Sequence, residues 1–455
     1  MNRAAAVDEP ARQTPIYGEY DVVVLGGGPA GLAAATAAAR RGAHVLLVER
    51  YGFLGGMGTA AGVTNFCGLH ANVHGTIRRV VHGVADELLA RMKALDGLNE
   101  PHLIFGKIFA QAYDNAAFKC AADAMLLGAG AELLFHAFAV AVVRADDRRI
   151  DALVVETKSG RFAVRAAIFI DCSGDGDLAH FAAVAMQPGG ALLFPTLMFR
   201  VADVDAARAG EAWRTIPALM DEAEAADDFR FPRKGAIVRP QKHAGEWRVN
   251  VTQLKNADGS AVDGTDARSL SGGEVEGRRQ AIDYLAFLRQ RVPGFESAYL
   301  LEIAPQLGIR ETRRLQGEYV LSADDVLGCA DFADTIGVNG WPLELHVAGD
   351  VEWRWPAIPE SRGFNQLPLG MLLPRAATAD GALNLLVAGR CASMSHEGQS
   401  AARVSGACFV MGQAAGTLAA LAGDRGVPLR QVAPAALQAR LAADGAFLGR
   451  GDPPG

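Results

Sequence analysis

Gly26, Gly28 and Gly31 stand in the spacing G-x-G-x-x-G, and a carboxylate, Glu49, follows at the end of the next apolar run. Those residue types at that spacing hold a diphosphate. Gly26 permits a tight turn, Gly28 lets the backbone approach phosphate where a Cβ would collide, and Gly31 lets the following helix sit close on its strand. The helix that follows turns its N-terminus, whose unpaired N–H groups and dipole favour an anion, toward the phosphates. Glu49 is placed to accept hydrogen bonds from ribose hydroxyls and to repel a ribose 2′-phosphate. The bland alternative is a glycine turn with Glu49 simply solvated, but strand, Ala-rich helix, second strand and spaced acid occur together.

Other side chains could move protons or bind anions. Arg310, Arg313 and Arg314 crowd round Glu311 in Gly308–Tyr319, and guanidinium groups there could grip a carboxylate or phosphate; a surface ion-pair cluster reads equally well. Asp175 and Asp177 lie in a second glycine turn, Cys172–Asp177, where backbone N–H groups could meet a cofactor or the acids could cap a helix. His396, His70 and His74 carry imidazoles able to accept a proton near neutral pH. Met57 and Cys67 could line a pocket or serve as packing.

The elements that must position these groups follow from periodicity. Asp21–Leu25 reads as a buried strand, Ala33–Ala39 as a tightly packed helix and His44–Val48 as a second strand, which makes a βαβ unit ending at Arg50. The glycines at 55, 56, 58 and 62 break any regular period, as suits a loop under a flat ligand. Helices are expected over Val80–Leu95 and Tyr113–Leu127, the second capped by Asp114, and strands over Glu132–Val143, Asp151–Thr157 and Arg161–Ile170 as a β-meander. Turns are expected at Asp146–Arg149 and Ser159-Gly160. Between about Phe181 and Asn365 the βαβ texture disappears; there we expect an acidic helix over Ala207–Asp228, a strand over Glu246–Leu254 and a helix over Glu274–Arg291 stopped by Pro293-Gly294. The first texture returns with an apolar strand, Leu383–Ala388, and a small-residue helix, Val404–Ala422, followed by a helix over Pro428–Phe447 and a loose tail.

The totals exclude several classes. With 455 residues, 50% hydrophobic and 21% charged, the chain can bury two or three substantial cores. A net charge of −7 without a basic stripe argues against nucleic acid, and neither the first nineteen residues, read as a loose leader, nor any later run has the apolar length of a signal or membrane span. We expect a cytoplasmic protein acting on small molecules, with a homo-oligomer left open. The six cysteines include no C-x-x-C pair and no His/Cys cluster has zinc-like spacing, so neither disulfide-reductase chemistry nor a metal is expected.

Four stretches in fixed order, Val24–Ala35, Leu54–Thr59, Ile170–Asp177, and Leu386–Arg390 with Arg403–Gly416, resemble the FAD-dependent oxidoreductases of the glutathione-reductase-like class. Gly308–Tyr319 looks like the internal signature of one bacterial branch of FAD-dependent oxidoreductases. The resemblance runs from Tyr20 to about Ala422 and is weakest between Ala183 and Ala298. It implies an α/β fold in which a Rossmann-type FAD-binding domain, a parallel sheet plus β-meander, is interrupted by an inserted α+β substrate domain. The segments would be 18–180 and 366–425 for the FAD domain, 181–365 for the insert, and 426–455 for a C-terminal helix and tail. By this resemblance FAD would be held by Gly26, Gly28, Pro29, Ala30, Gly31, Glu49, Arg50, Gly55, Gly56, Met57, Ala139, Gly174, Asp175, Gly389, Arg390, Arg403, Val404 and Gly406, with the last helix pointing its N-terminus at the flavin.

The function this implies is hydride transfer between a small organic substrate and the flavin, with an electron donor or acceptor that the sequence does not reveal. The resemblance sets His396 beside the flavin, and its imidazole is the first choice for the proton; Arg310 and Arg313 are candidates for anchoring substrate. His70 and His74, which follow the flavin-side glycine loop, are second choices for the proton, each better read as structural. The alternatives are a flavin monooxygenase or halogenase using dioxygen, an RNA-modifying flavoprotein, and an NAD-binding protein without flavin. Glu352–Pro359 is similar to an aromatic element of flavin-dependent halogenases, but has one residue too many and lies too late in the chain, so we read it as coincidence.

Overall fold

A computed structural model describes residues 6–146, 149–375 and 384–454. The centre of the expected Asp146–Arg149 turn, and Leu383 of the last expected strand, fall outside the described residues.

The chain enters strand β1 (Ile16–Leu25), whose Val22, Val23 and Val24 are buried on both faces, as a central parallel strand requires. The strand begins earlier than Asp21. Its first half was unreadable because Ile16 and Tyr17 are exposed and its backbone partner, Ala163 and beyond, lies far along the chain. Helix α1 (Pro29–Ala39) has proline in its first turn and buries every residue from Ala30 to Ala39. Strand β2 (Val45–Val48) follows. The glycine-rich stretch after it is partly ordered into a helical turn, Met57–Ala60, and a short strand, Asn65–Phe66. Two helices, Val84–Ala94 and Asn115–Gly128, cover α1, and the Asp114 carboxylate caps the second by accepting from the Ala117 N–H at 2.8 Å.

The strand expected over Glu132–Val143 is two strands. β3 (Glu132–Leu134) runs parallel to β2, while β4 (Phe138–Asp146) runs antiparallel to β5 (Arg149–Thr157), and His136, at a φ of 52°, makes the break between them. β6 (Gly160–Asp171) closes the meander and continues as a parallel partner of β1, giving the order β3-β2-β1-β6-β5-β4.

A second, antiparallel sheet is built from β7 (Phe199–Ala202), β8 (Ile237–Pro240), β9 (Trp247–Asn250) and β10 (Tyr299–Ile303) in the order β8-β9-β7-β10. One of its faces packs on helix α2 (Ala267–Arg291) through Phe199, Val249, Tyr284, Phe287 and Leu288. That helix starts before Glu274 because the Asp266 carboxylate caps it, accepting from Ser269 N–H at 2.7 Å. Gly273 and Gly277, which hid its first turns from a propensity reading, lie against Val262, Leu197 and Leu307. The acidic helix is likewise split, into Ala206–Ala209 and Ala212–Ala225, at Gly210.

After this sheet the chain returns to the first core. Hairpin β11 (Leu343–Val347) and β12 (Asp350–Arg354) places Leu343 and Leu345 in the same apolar cluster as α1. β13 (Leu385–Val387) adds to β6 in parallel, and helix α3 (Ser405–Arg425) crosses α1 so closely that a Cβ at Gly412 or Gly416 would overlap the carbonyl of Ala30 or Ala34. By length and composition α3 could cross a membrane, but 83% of its apolar window is buried inside the protein. Strands β1, β2, β6 and β13 all end at one edge of the sheet, the edge where open parallel sheets bind ligands.

Candidate active site

A cavity opens from that edge. Its volume is about 270 Å³, close to the lower end of the roughly 300–1,000 Å³ that small-molecule sites span.

At the end of the cavity nearest α1 the three glycines shape the turn. Gly26 has a φ of 98°, and a Cβ on Gly31 would overlap the carbonyl oxygen of Gly26. A Cβ on Gly28 would meet only the Gly56 Cα, at 3.6 Å, so the space over Gly28 is left open by the protein itself. The first helical hydrogen bond of α1 runs from Leu32 N–H to Gly28 C=O, and the N–H groups of Ala30 and Gly31 are left for an anion. Glu49, buried at 5% exposure, accepts from the N–H of Gly27 at 2.6 Å and of Tyr51 at 2.9 Å. Burial raises its carboxyl above the ordinary range despite those donors, and hydroxyl donors of a ribose would add to them. Arg50 reaches Gln306 at 3.0 Å and lines the cavity beside Ala139 and Gly174. This cradle fits the diphosphate and ribose of FAD.

The further end is built from segments distant in sequence. Glu344 and His346 alternate on β11 and share one face; His346 Nε2 lies 3.2 Å from Glu344 Oε1, and Glu344 Oε2 accepts from Trp341 Nε1 at 3.0 Å and faces Arg403 at 3.7 Å. Burial drives His346 well below its usual range, and the nearby Arg310 adds to that. For Glu344 burial is outweighed by the donors around it and by Arg403, which hold its carboxyl down to about 2. The pair is therefore a neutral imidazole donating to an ionised carboxylate, both lining the cavity. Cys67 lies nearby, and burial pushes its thiol up to about 12, so it is no thiolate.

Of the residues singled out in the sequence, Gly26, Gly28, Pro29, Ala30, Glu49, Arg50, Gly56, Met57, Ala139, Gly174, Gly389, Arg390, Arg403, Val404 and Arg310 line this one cavity. Four do not. Gly31 and Gly55 shape their turns, Gly406 sits against the Gly68 carbonyl, and Asp175 stands behind the wall, accepting from Arg390 and Thr312 at 2.8 Å each. His396 is also outside the lining. Its Nδ1 lies 2.8 Å from the buried Glu311, so the imidazole serves a structural carboxylate. His70 and His74 do not line the cavity either.

The three arginines of the Gly308–Tyr319 stretch do not converge on Glu311. Arg314 pairs with it at 3.0 Å, Arg313 turns to Asp177 at 2.6 Å, and Arg310 donates to the Phe194 carbonyl and Thr196 hydroxyl, 2.7 Å each. The stretch thus ties the second glycine turn to the 389–399 loop. Glu344, His346, Trp341, Arg248, Arg239, Asn250 and His102 were missed; the alternation of polar with apolar residues in Leu343–Val347 was the signal that would have put Glu344 and His346 on one face.

A Rossmann-type sheet with a glycine-turn cradle and a buried acid at the second strand defines a dinucleotide-binding enzyme fold. The chain belongs to the FAD-dependent oxidoreductase family, whose model matches residues 21–441. A search of the curated proteins finds no match. Among solved structures, it is similar to a geranylgeranyl bacteriochlorophyll reductase-like protein from Thermoplasma acidophilum, with 14% identity over 95% of this chain and 84% of that one and a TM-score of 0.46. It is also similar to p-nitrophenol 4-monooxygenase from Pseudomonas putida, with 11% identity over 96% and 91% and a TM-score of 0.47. The protein is an enzyme, and its cofactor is FAD.

Proposed function

We propose that the chain carries a hydride and a proton between a small organic molecule and its flavin, in the manner of the glutathione-reductase-like branch but without a redox cysteine pair. The observation that carries this reading is the continuity of one cavity from the glycine cradle to the Glu344–His346 pair. Bound FAD supplies the two-electron chemistry. Gly26–Ala30 and Glu49 would hold its diphosphate and ribose. Val404 and Ser405, at the start of α3, face the same cavity and favour negative charge there.

His346 donates its Nε2–H to Glu344, which leaves Nδ1 as the acceptor. It takes the proton from a substrate hydroxyl or amine as the adjacent carbon gives up its hydride, and Glu344 stabilises the imidazolium that forms. Burial first, and then the charge of Arg310, keep the imidazole neutral at rest. This role replaces the one expected of His396.

The test is to follow the visible absorbance of the purified holoenzyme anaerobically against alcohols, amines, enones and reduced nicotinamides. Bleaching by an alcohol or amine alone supports the reading. Bleaching only by a reduced nicotinamide, with dioxygen then consumed and an oxygenated or halogenated product formed, sinks it in favour of a monooxygenase or halogenase.

A further inference from the structure

On the second sheet, Arg239 of β8 and Arg248 of β9 are directly opposed, and Arg200 of β7 opposes Arg248 from its other side. Opposed residues of an antiparallel pair share a face, and like charges so placed repel. Arg200 is neutralised by Glu302 at 2.6 Å and Glu246 at 3.1 Å. The other two have no such partner among the described residues: Arg248 donates to the Val63 carbonyl and Arg239 to the Val238 carbonyl at 2.9 Å, with the Trp213 ring 5.4 Å from its guanidinium carbon. Arg248 is only 4% exposed, and its Nε has no hydrogen-bond partner. Both arginines line the cavity, as does Asn250, opposed to Ile237, whose buried Oδ1 is also unpartnered. His102, close to both arginines, is pushed down to about 4, first by burial and then by their charge, and offers them no negative counterpart. Glu344, the carboxylate among the described residues that lines this end, is already committed to Arg403, His346 and Trp341.

A buried and a half-buried cation, neither with a carboxylate in salt-bridge contact among the described residues, held side by side on a rigid sheet facing a cavity, are a receptor for an oxyanion. The mouth beyond them is apolar. Phe105, 59% exposed at the tip of a hairpin, packs edge-on against Trp353 at 5.1 Å, and both line the same cavity. Resting on the proposed function, we infer that the substrate is an organic acid, a carboxylate or phosphate on an apolar or aromatic body, whose anionic group is received between Arg239 and Arg248.

The test uses the holoenzyme, with FAD content per chain measured first. Benzoate, phenyl phosphate and neutral benzamide are titrated while the visible flavin band is followed. An anion should bind at least roughly tenfold more tightly than benzamide, and Arg248→Gln should weaken it by about tenfold to a hundredfold while leaving benzamide binding and FAD content unchanged. Arg239→Gln gives the same readout if Arg248→Gln does not fold. Preference for benzoate over phenyl phosphate, or the reverse, names the acid. Equal binding of benzamide, unchanged anion affinity in the variants, or loss of FAD from a variant that folds overturns the inference; the last result would assign these arginines to the cofactor. A protein that holds no FAD would fail the proposed function instead, and the same titrations read by calorimetry would still decide the anion.

Discussion

Gly28 and Gly31 separate two uses of glycine that a motif alone cannot. The space over Gly28 is open and its φ of −69° is ordinary for any residue, whereas a Cβ on Gly31 has the Gly26 carbonyl in its way. Gly28→Ala should therefore fold with its denaturant midpoint nearly unchanged and lose FAD, while Gly31→Ala should lose stability outright; calorimetry of FAD binding beside a denaturation curve checks both. His346 carries a pH prediction. Its pKa is lowered, so the accepting form exists above that depressed value, and anaerobic flavin bleaching should stay flat as pH falls through about 6.5, where an ordinary imidazole would titrate, and decline only below. A fall centred at 6.5 would contradict the assignment. The glycine turn was legible because its residues act within one local unit. His346 was not, because its worth depends on Glu344 beside it and on a cavity whose other walls come from the far parts of the chain.

Among the elements, the crossing of α1 and α3 decides whether the cradle keeps its shape. Gly412 lies on the carbonyl of Ala30, in the turn that faces the diphosphate, so Gly412→Ala should lower thermal stability and FAD retention together. Asp177 opens the short helix after the second glycine turn and pairs with Arg313. Its carboxyl is pushed up to about 6, chiefly by burial and then by Asp175 and Asp171. A raised carboxyl favours folding only while protonated: that contribution is whole below the ordinary value near 4 and is lost as pH rises through about 6. Asp177→Asn should then stabilise the cofactor-stripped protein by about 1–3 kcal/mol at pH 8 and by almost nothing near pH 4, as read from denaturant midpoints. Sequence periodicity found most of these elements and missed their ends. The Glu132–Val143 run was read as one strand because nothing local marks His136 as the point where partnership passes from β2 to β5.

At the scale of the molecule, FAD and substrate are expected to meet where a parallel sheet and an antiparallel sheet face one cavity. The first sheet was readable because its motifs are short, ordered and chemically specific. The second was readable only as a change of texture, since Arg239 and Arg248 acquire meaning through strand pairing that brings them opposite each other. The account turns on which imidazole takes the proton. The most direct measurement is the rate of anaerobic flavin bleaching by the substrate in three proteins, wild type, His346→Asn and His396→Asn, each with its FAD content confirmed. The account predicts a loss of about a hundredfold or more for His346→Asn, the scale of a positioned general base, and a change of no more than a few-fold for His396→Asn. A His346→Asn protein that bleaches at the wild-type rate, or a loss confined to His396→Asn, would contradict it.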